Sequence, residues 1–165
     1  MANDSLLSGR EYLTFLLGKE EYGVDILCVQ EIRVWSPVTE IPNTPSYLKG
    51  VINLRGTIVP IVDLRQRFGY EAHEYCNTTV VVVLKGLVRD KKATVGIVVD
   101  AVSDVHKVDA GGVKDAPEFG QHVDSCFIRG MVTDGDKIII LLDSIALLDV
   151  DELFKDSSGI TQKAG

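Results

Sequence analysis

Apolar and polar residues alternate along most of this chain at a period of two, in short runs separated by glycines and polar pairs. That rhythm predicts strands over residues 12–17, 22–25, 29–34, 50–54, 57–62, 78–85, 94–100, 102–108, 127–133 and 137–142. Helix is minor: a brief turn at 26–28, one short helix after Asp63 and another after Asp143, each aspartate standing where an N-cap belongs. Two places depart from plain alternation. Val80, Val81, Val82, Val83 and Leu84 leave no face for water, so that strand is expected to be covered on both sides. Pro60 interrupts an apolar run and has no N–H for a ladder, which predicts an edge strand or a bulge there. Between the strands, residues 36–47 hold three of the five prolines (Pro37, Pro42 and Pro45) and read as an ordered, irregular crossover, with 110–123 as its counterpart later in the chain.

The pattern occurs twice. Gly23 to Ile32 lies over Gly96 to Val105 without a gap, at an offset of 96 − 23 = 73. Arg55-Gly56, on a tight turn between two apolar runs, lies over Arg129-Gly130 at 129 − 55 = 74, and the opening strands correspond as 13–17 before Gly18 against 80–85 before Gly86, with a longer and more basic turn, 87–92, in the second copy. Two copies are too few for a solenoid. The expectation is a mainly all-β fold, about ten short strands forming two small barrels. They would make one domain, residues 10–153, with similar lobes near 20–80 and 81–153 whose strands are free to interleave, between flexible tails 1–9 and 154–165.

Composition narrows the function classes. A chain of 165 residues that is 45% hydrophobic buries a sizeable core, and its net charge of −7 disfavours nucleic acid and anionic lipid as partners. Cys28, Cys76 and Cys126 are odd in number and widely spaced, which fits reduced thiols in a cytosol. The first eight residues have neither the basic start nor the apolar run of an export signal, and no segment reaches membrane-spanning length.

No arrangement of residues suggests catalysis. His73, His106 and His122 fall in or beside predicted turns without metal-ligand spacing and read as solvated surface residues; Cys28 reads as a small buried hydrophobe. Ala110-Gly111-Gly112-Val113 lacks the lysine of a phosphate loop, and Asp25, Asp63, Asp100 and Asp143 stand where strands end and helices are capped. The one repeated polar pairing sets Glu31 with Arg55 and Asp104 with Arg129. An ion pair inside each lobe is the plain reading, preferred for Asp104 and Arg129. For Glu31 and Arg55 the preferred reading is that they face outward and fix a partner's register, a task suited to a planar guanidinium. Val29, Val80, Val81, Val102 and Val105 exceed what alternation requires; burial between lobes accounts for most of them, and a groove that takes an apolar helix accounts for the rest.

The runs Glu20 to Ile26, Val29 to Arg33, Asn53 to Arg65 and Gly96 to Val105, together with the order in which they occur, resemble the CheW-like coupling proteins of bacterial chemotaxis from about Glu11 to Leu153. The same module ends the histidine kinase CheA and begins the CheV adaptors. The resemblance implies two five-stranded, SH3-like barrels around a shared core. It also implies a non-enzymatic adaptor, without metal or cofactor, that binds the cytoplasmic tip of chemoreceptors and the regulatory domain of CheA, with further copies of itself in rings as an additional partner. Such a protein is cytoplasmic and is recruited to the inner face of the membrane through the receptors. On this resemblance Val29, Val80, Val81, Val102 and Val105 line a receptor groove between the lobes, with Glu31 and Arg55 on partner-facing surface. A scaffold in another kinase pathway, such as pilus-driven movement, and a small enzyme with an unrecognised site are the alternatives. Cys28 stands where a lysine is common in the family.

Overall fold

The computed structural model describes residues 10–71, 74–108, 113–114 and 125–150. Among them run β1 (Glu11–Leu17), β2 (Glu20–Asp25), β3 (Val29–Val34), β4 (Leu48–Leu54), β5 (Thr57–Asp63), β6 (Val80–Val88), β7 (Lys91–Val99), β8 (Ala101–Lys107), β9 (Ile128–Asp134) and β10 (Lys137–Leu142). Two short helices follow β5 and β10, α1 (Leu64–Arg67) and α2 (Ser144–Leu148), and 3-10 turns cover Ile26–Cys28 and Ser125–Phe127. Aspartates start the helices as expected. Asp63 accepts from the Gln66 amide, and Asp143 from those of Ile145 and Ala146. Asp25 caps the first 3-10 turn through the Leu27 amide.

The strands form two five-stranded sheets in the orders β8-β1-β2-β10-β9 and β3-β6-β7-β5-β4. If β1 to β5 are matched one to one with β6 to β10, both sheets read third-first-second-fifth-fourth. Each sheet therefore takes its first two strands from one half of the chain and its last three from the other. The expected lobes at 20–80 and 81–153 do not correspond to the sheets: one lobe is residues 29–99, and the other joins 11–25 to 101–142. The physical reason is the parallel pair at the centre of each sheet. β5 lies parallel to β7 with Ile61 opposite Gly96, and β10 lies parallel to β2 with Leu141 opposite Gly23. Parallel neighbours cannot be joined by a hairpin, so each is supplied from the other half. These pairs also show that the later strands repeat at 141 − 61 = 80 rather than 74.

Three apolar clusters follow from this exchange. Between the lobes lie Phe15, Leu17, Tyr22 and Leu142 from one sheet against Val62, Val82, Leu84 and Ile97 from the other, with Leu64, Leu147 and Leu148 from the helices and Phe68 directly after α1. Inside the 29–99 lobe are Leu54, Val59, Ile61, Val81, Val83 and Val98; inside the other are Tyr12, Val108, Val132, Ile139 and Leu141. β6 is apolar throughout because Val82 and Leu84 face the shared core while Val81 and Val83 face their own barrel. An aromatic chain crosses the junction, Phe15 to Tyr22, Tyr22 to Phe68 and Phe68 to Phe127, with ring centroids 6.2, 5.6 and 5.5 Å apart.

Each barrel closes through the segment that leaves its edge strand. After β3, Thr39 pairs with Val51 of β4; after β8, Lys114 pairs with Met131 of β9. Gly50 makes the first closure possible: at φ +149 its position would put a Cβ 2.2 Å from the Thr39 carbonyl oxygen.

Two local expectations are corrected. β5, which carries Pro60, is an interior strand, since β4 flanks it on one side and β7 on the other. However, β7 joins only from Ile61 onward, so at Pro60 the missing N–H faces an unpaired stretch. The basic residues 87–92 are not a long loop: β6 and β7 remain paired to Val88 and Lys91, and only Arg89 and Asp90 turn, at φ 49 and 64. Positive φ at both central residues is the mark of the tight hairpin that matches strand twist.

Candidate partner-binding site

Arg55 occupies the two-residue turn between β4 and β5. Its own φ is 51 and that of Gly56 is 90, and the Gly56 amide donates to Asn53 Oδ1 at 2.8 Å. At the equivalent place in the other lobe, 55 + 80 = 135, stands Gly135 with φ 64. A non-glycine residue in this conformation carries a modest strain that its counterpart avoids. The Arg55 guanidinium reaches the Glu31 carboxylate on β3, which also accepts from Arg33 at 3.2 Å. Arg55, with Arg33 second, holds the Glu31 carboxyl below the usual carboxylate range. The pair thus clips the edge strand β3 to the far turn of its barrel, with the Arg55 side chain still 67% exposed.

The second pairing does not form. Arg129 opens β9 and is equivalent to Lys49, since 129 − 80 = 49, rather than to Arg55. Asp104 Oδ1 accepts from the Val105 amide at 2.7 Å, and no ion pair joins Asp104 to Arg129 among the described residues.

The valines divide into three environments. Val29 on β3, Val80 on β6 and Val102 on β8 are half-buried where the strands border the shared core. Val105 is 42% exposed on β8. Val81, in contrast, is 5% exposed inside the 29–99 barrel, so its place in an accessible groove is corrected: it is core, and its side chain faces opposite to that of Val80. β3 and β8 are the edge strands of the two sheets and occupy equivalent places. The offset of 73 carries Val29 onto Val102 and Ile32 onto Val105. Ile32 is accordingly 46% exposed and Val34 71%, a pair of open apolar residues on β3 that the sequence reading did not single out. The repeat itself held the signal, because Val105 was named and its counterpart was not.

Titratable and thiol groups are scattered rather than convergent. His106 lies within β8, half-buried, with Nε2 3.9 Å from Glu21 and Nδ1 3.6 Å from Asp134, so it is not the solvated turn residue expected. His73 and His122 lie outside the described residues. Cys28 is half-buried with Sγ 3.2 Å from Ser144 Oγ, and Cys126 is exposed. Cys76 is exposed as well, and hydrogen bonding with Thr78, then Thr79, draws its thiol down to about 7. Asp100 accepts from the Gly18 amide and from Arg65, both at 2.7 Å, and so ties the lobes together. Burial, then the Tyr70 hydroxyl 2.7 Å away, pushes the Tyr22 phenol up. Among the described residues no group of three or more His, Cys, Asp or Glu side chains is placed to hold a metal ion, and no helix is long and apolar enough to cross a membrane.

Comparison with known proteins agrees with this geometry over nearly the whole chain. The CheW-like domain family matches residues 11–154. A chemotaxis protein CheW of Klebsiella aerogenes is 48% identical over 145 residues, covering 88% of this chain and 85% of its own. One from Rhizobium meliloti is 39% identical over 139 residues, covering 83% and 87%. Among solved structures, the scaffolding protein TtCheW of Thermoanaerobacter tengcongensis superposes with a TM-score of 0.73 at 32% identity, over 82% of this chain and 89% of that one. With its swapped double-barrel topology and these relatives, the chain belongs to the CheW-like domain family of chemotaxis scaffolds.

Proposed function

We propose that this protein is a non-catalytic adaptor that couples chemoreceptors to a CheA-type histidine kinase. The observation that carries the reading is the pair of equivalent edge strands, β3 and β8, each of which presents a half-buried valine at the border of the shared core and, three residues on, an exposed apolar residue. An apolar helix from a receptor tip gains most where such side chains are already partly dried by the core behind them. Val29, Val80, Val102 and Val105 line this groove, and Arg55, set by Glu31, presents unused N–H donors on neighbouring surface to the receptor or to the kinase's regulatory domain. Control of kinase activity then arises from assembly: the adaptor holds receptor and kinase in arrangements whose activities differ, and a receptor ligand biases that equilibrium. The protein would work in the cytoplasm at the inner face of the membrane, held there by receptors.

The test is autophosphorylation of the cognate CheA with receptor-containing membranes, with and without the protein, repeated with Arg55→Gly. Glycine keeps the turn, as Gly135 does in the other lobe, and removes the Arg55 side chain together with its ion pair to Glu31. Stimulation that requires the protein and falls in the variant supports coupling through Arg55. Absence of stimulation by the folded wild-type protein would direct the module to another kinase pathway.

A further inference from the structure

The two lobes differ at their first hairpins. β1 and β2 turn directly after Leu17, whereas β6 and β7 continue past Gly86 to the Val88–Lys91 pair. This extension rests on α2. Val88 is buried, the Leu148 side chain stands 2.7 Å from where a Cβ on Gly86 would lie, and the Arg89 guanidinium forks onto both Asp149 carboxylate oxygens at 3.0 and 3.1 Å. Across from it, β5 joins β7 only from Ile61 onward, which leaves two strand edges, Thr57 to Pro60 on one side and Lys91 to Val95 on the other, each paired among the described residues to a strand on its far side alone. The cleft between them measures about 620 Å³. Its apolar wall is Pro60, Val88, Leu148 and Ile58, the last 60% exposed, and Lys91 and Lys92 stand at its rim. Neither lysine has an ion pair among the described residues.

Three features of this cleft define an occupant. Two facing backbone edges accept an extended chain, not a helix, because only an extended backbone can satisfy N–H and C=O groups laterally. The open Ile58 side chain calls for an apolar residue. In a chain of net charge −7, Arg89, Lys91 and Lys92 outnumber the single acid Asp90 within residues 89–92 and reverse the local sign, and among the described residues Asp149 offsets Arg89 while Lys91 and Lys92 have no ion pair. We propose that the cleft binds an extended acidic segment of a partner protein, which enters as a strand between β5 and β7, sets carboxylates on Lys91 and Lys92 and lays an apolar side chain on Ile58 and Pro60. None of the residues that line this cleft belongs to β3 or β8, and its β5 side begins at Thr57, two residues after Arg55.

The full-length protein would be titrated with a fluorescein-labelled peptide of alternating glutamate and leucine, and with its lysine-for-glutamate counterpart, followed by anisotropy and by amide chemical shifts. The expected result is saturable binding of the acidic peptide alone, with shifts concentrated at 57–59 and 91–95. The double substitution Lys91→Glu, Lys92→Glu should weaken it by at least about tenfold. No binding, equal binding of the basic peptide, shifts centred elsewhere, or an unaffected double variant would each overturn the proposal. So would binding that appears only after residues 151–165 are removed, since the chain's own C-terminal segment would then be the occupant.

Discussion

Single residues in this protein are often held by chemistry that can be changed without disturbing the fold. Arg55 is the clearest case. It adopts a left-handed φ of 51 where its counterpart is Gly135, and its ion pair with Glu31 is largely exposed, so neither feature supports the barrel strongly. Arg55→Gly is therefore expected to leave thermal stability unchanged or slightly raised while coupling is lost; a clear fall in melting temperature would assign the residue to the scaffold instead. The Glu31 carboxyl lies below its ordinary range, so whatever the pair contributes is complete above that range and fades only as pH falls through the lowered value. Cys76 offers a second residue-scale prediction. Its thiol titrates at about 7 because Thr78 hydrogen-bonds the sulfur at 3.1 Å. Iodoacetamide should label Cys76 half-maximally near that pH, and Thr78→Val should move the midpoint upward; peptide mass spectrometry of the labelled protein would show an unmoved midpoint if the threonine is irrelevant.

Elements here depend on how strands close and split rather than on their own propensity. Gly50 lets β4 approach the segment after β3 so that Thr39 and Val51 exchange hydrogen bonds of 3.0 and 2.9 Å. A methyl group there would meet the Thr39 carbonyl oxygen at 2.2 Å, whereas at Gly56 nothing lies within 4 Å. Gly50→Ala should thus cost near the upper end of about 1–3 kcal/mol, and Gly56→Ala, which suffers only its positive φ, about 1 kcal/mol. Denaturant melts of the two variants would refute the closure argument if their order were reversed. All ten strands and both short helices were legible as elements because alternation and aspartate caps are local signals. The β6–β7 extension was not. Leu87 and Val88 with Lys91 and Lys92 read as a basic turn, since nothing local reveals that Arg89 and Asp90 can make a left-handed turn as asparagine and glycine commonly do.

At the scale of the whole molecule, the exchange of strands makes the two halves of the chain interdependent. A fragment ending near residue 79 carries β1 to β5 but lacks β6 and β7, which separate β3 from β5 in one sheet, and β10, which flanks β2 in the other. Expressed alone, residues 10–79 and 80–150 should each remain unfolded by circular dichroism, and together they should restore a native spectrum. Independent folding of either half would contradict the swapped arrangement. The same exchange explains which parts of the candidate site could be read in advance. Period-two patterning and the 73-residue repeat determined that there are two equivalent five-strand sets, that 80–84 is covered on both faces, and that Val29 and Val102 hold corresponding places, because side-chain alternation and internal duplication are properties of sequence alone. Only the tertiary structure decided which half supplies each sheet's central pair, that Val81 points into a barrel while Val80 borders the shared core, that Arg129 corresponds to Lys49, and that Pro60 opens a cleft. Those outcomes rest on which strand lies beside which, and a run of alternating residues specifies a face but never its neighbour.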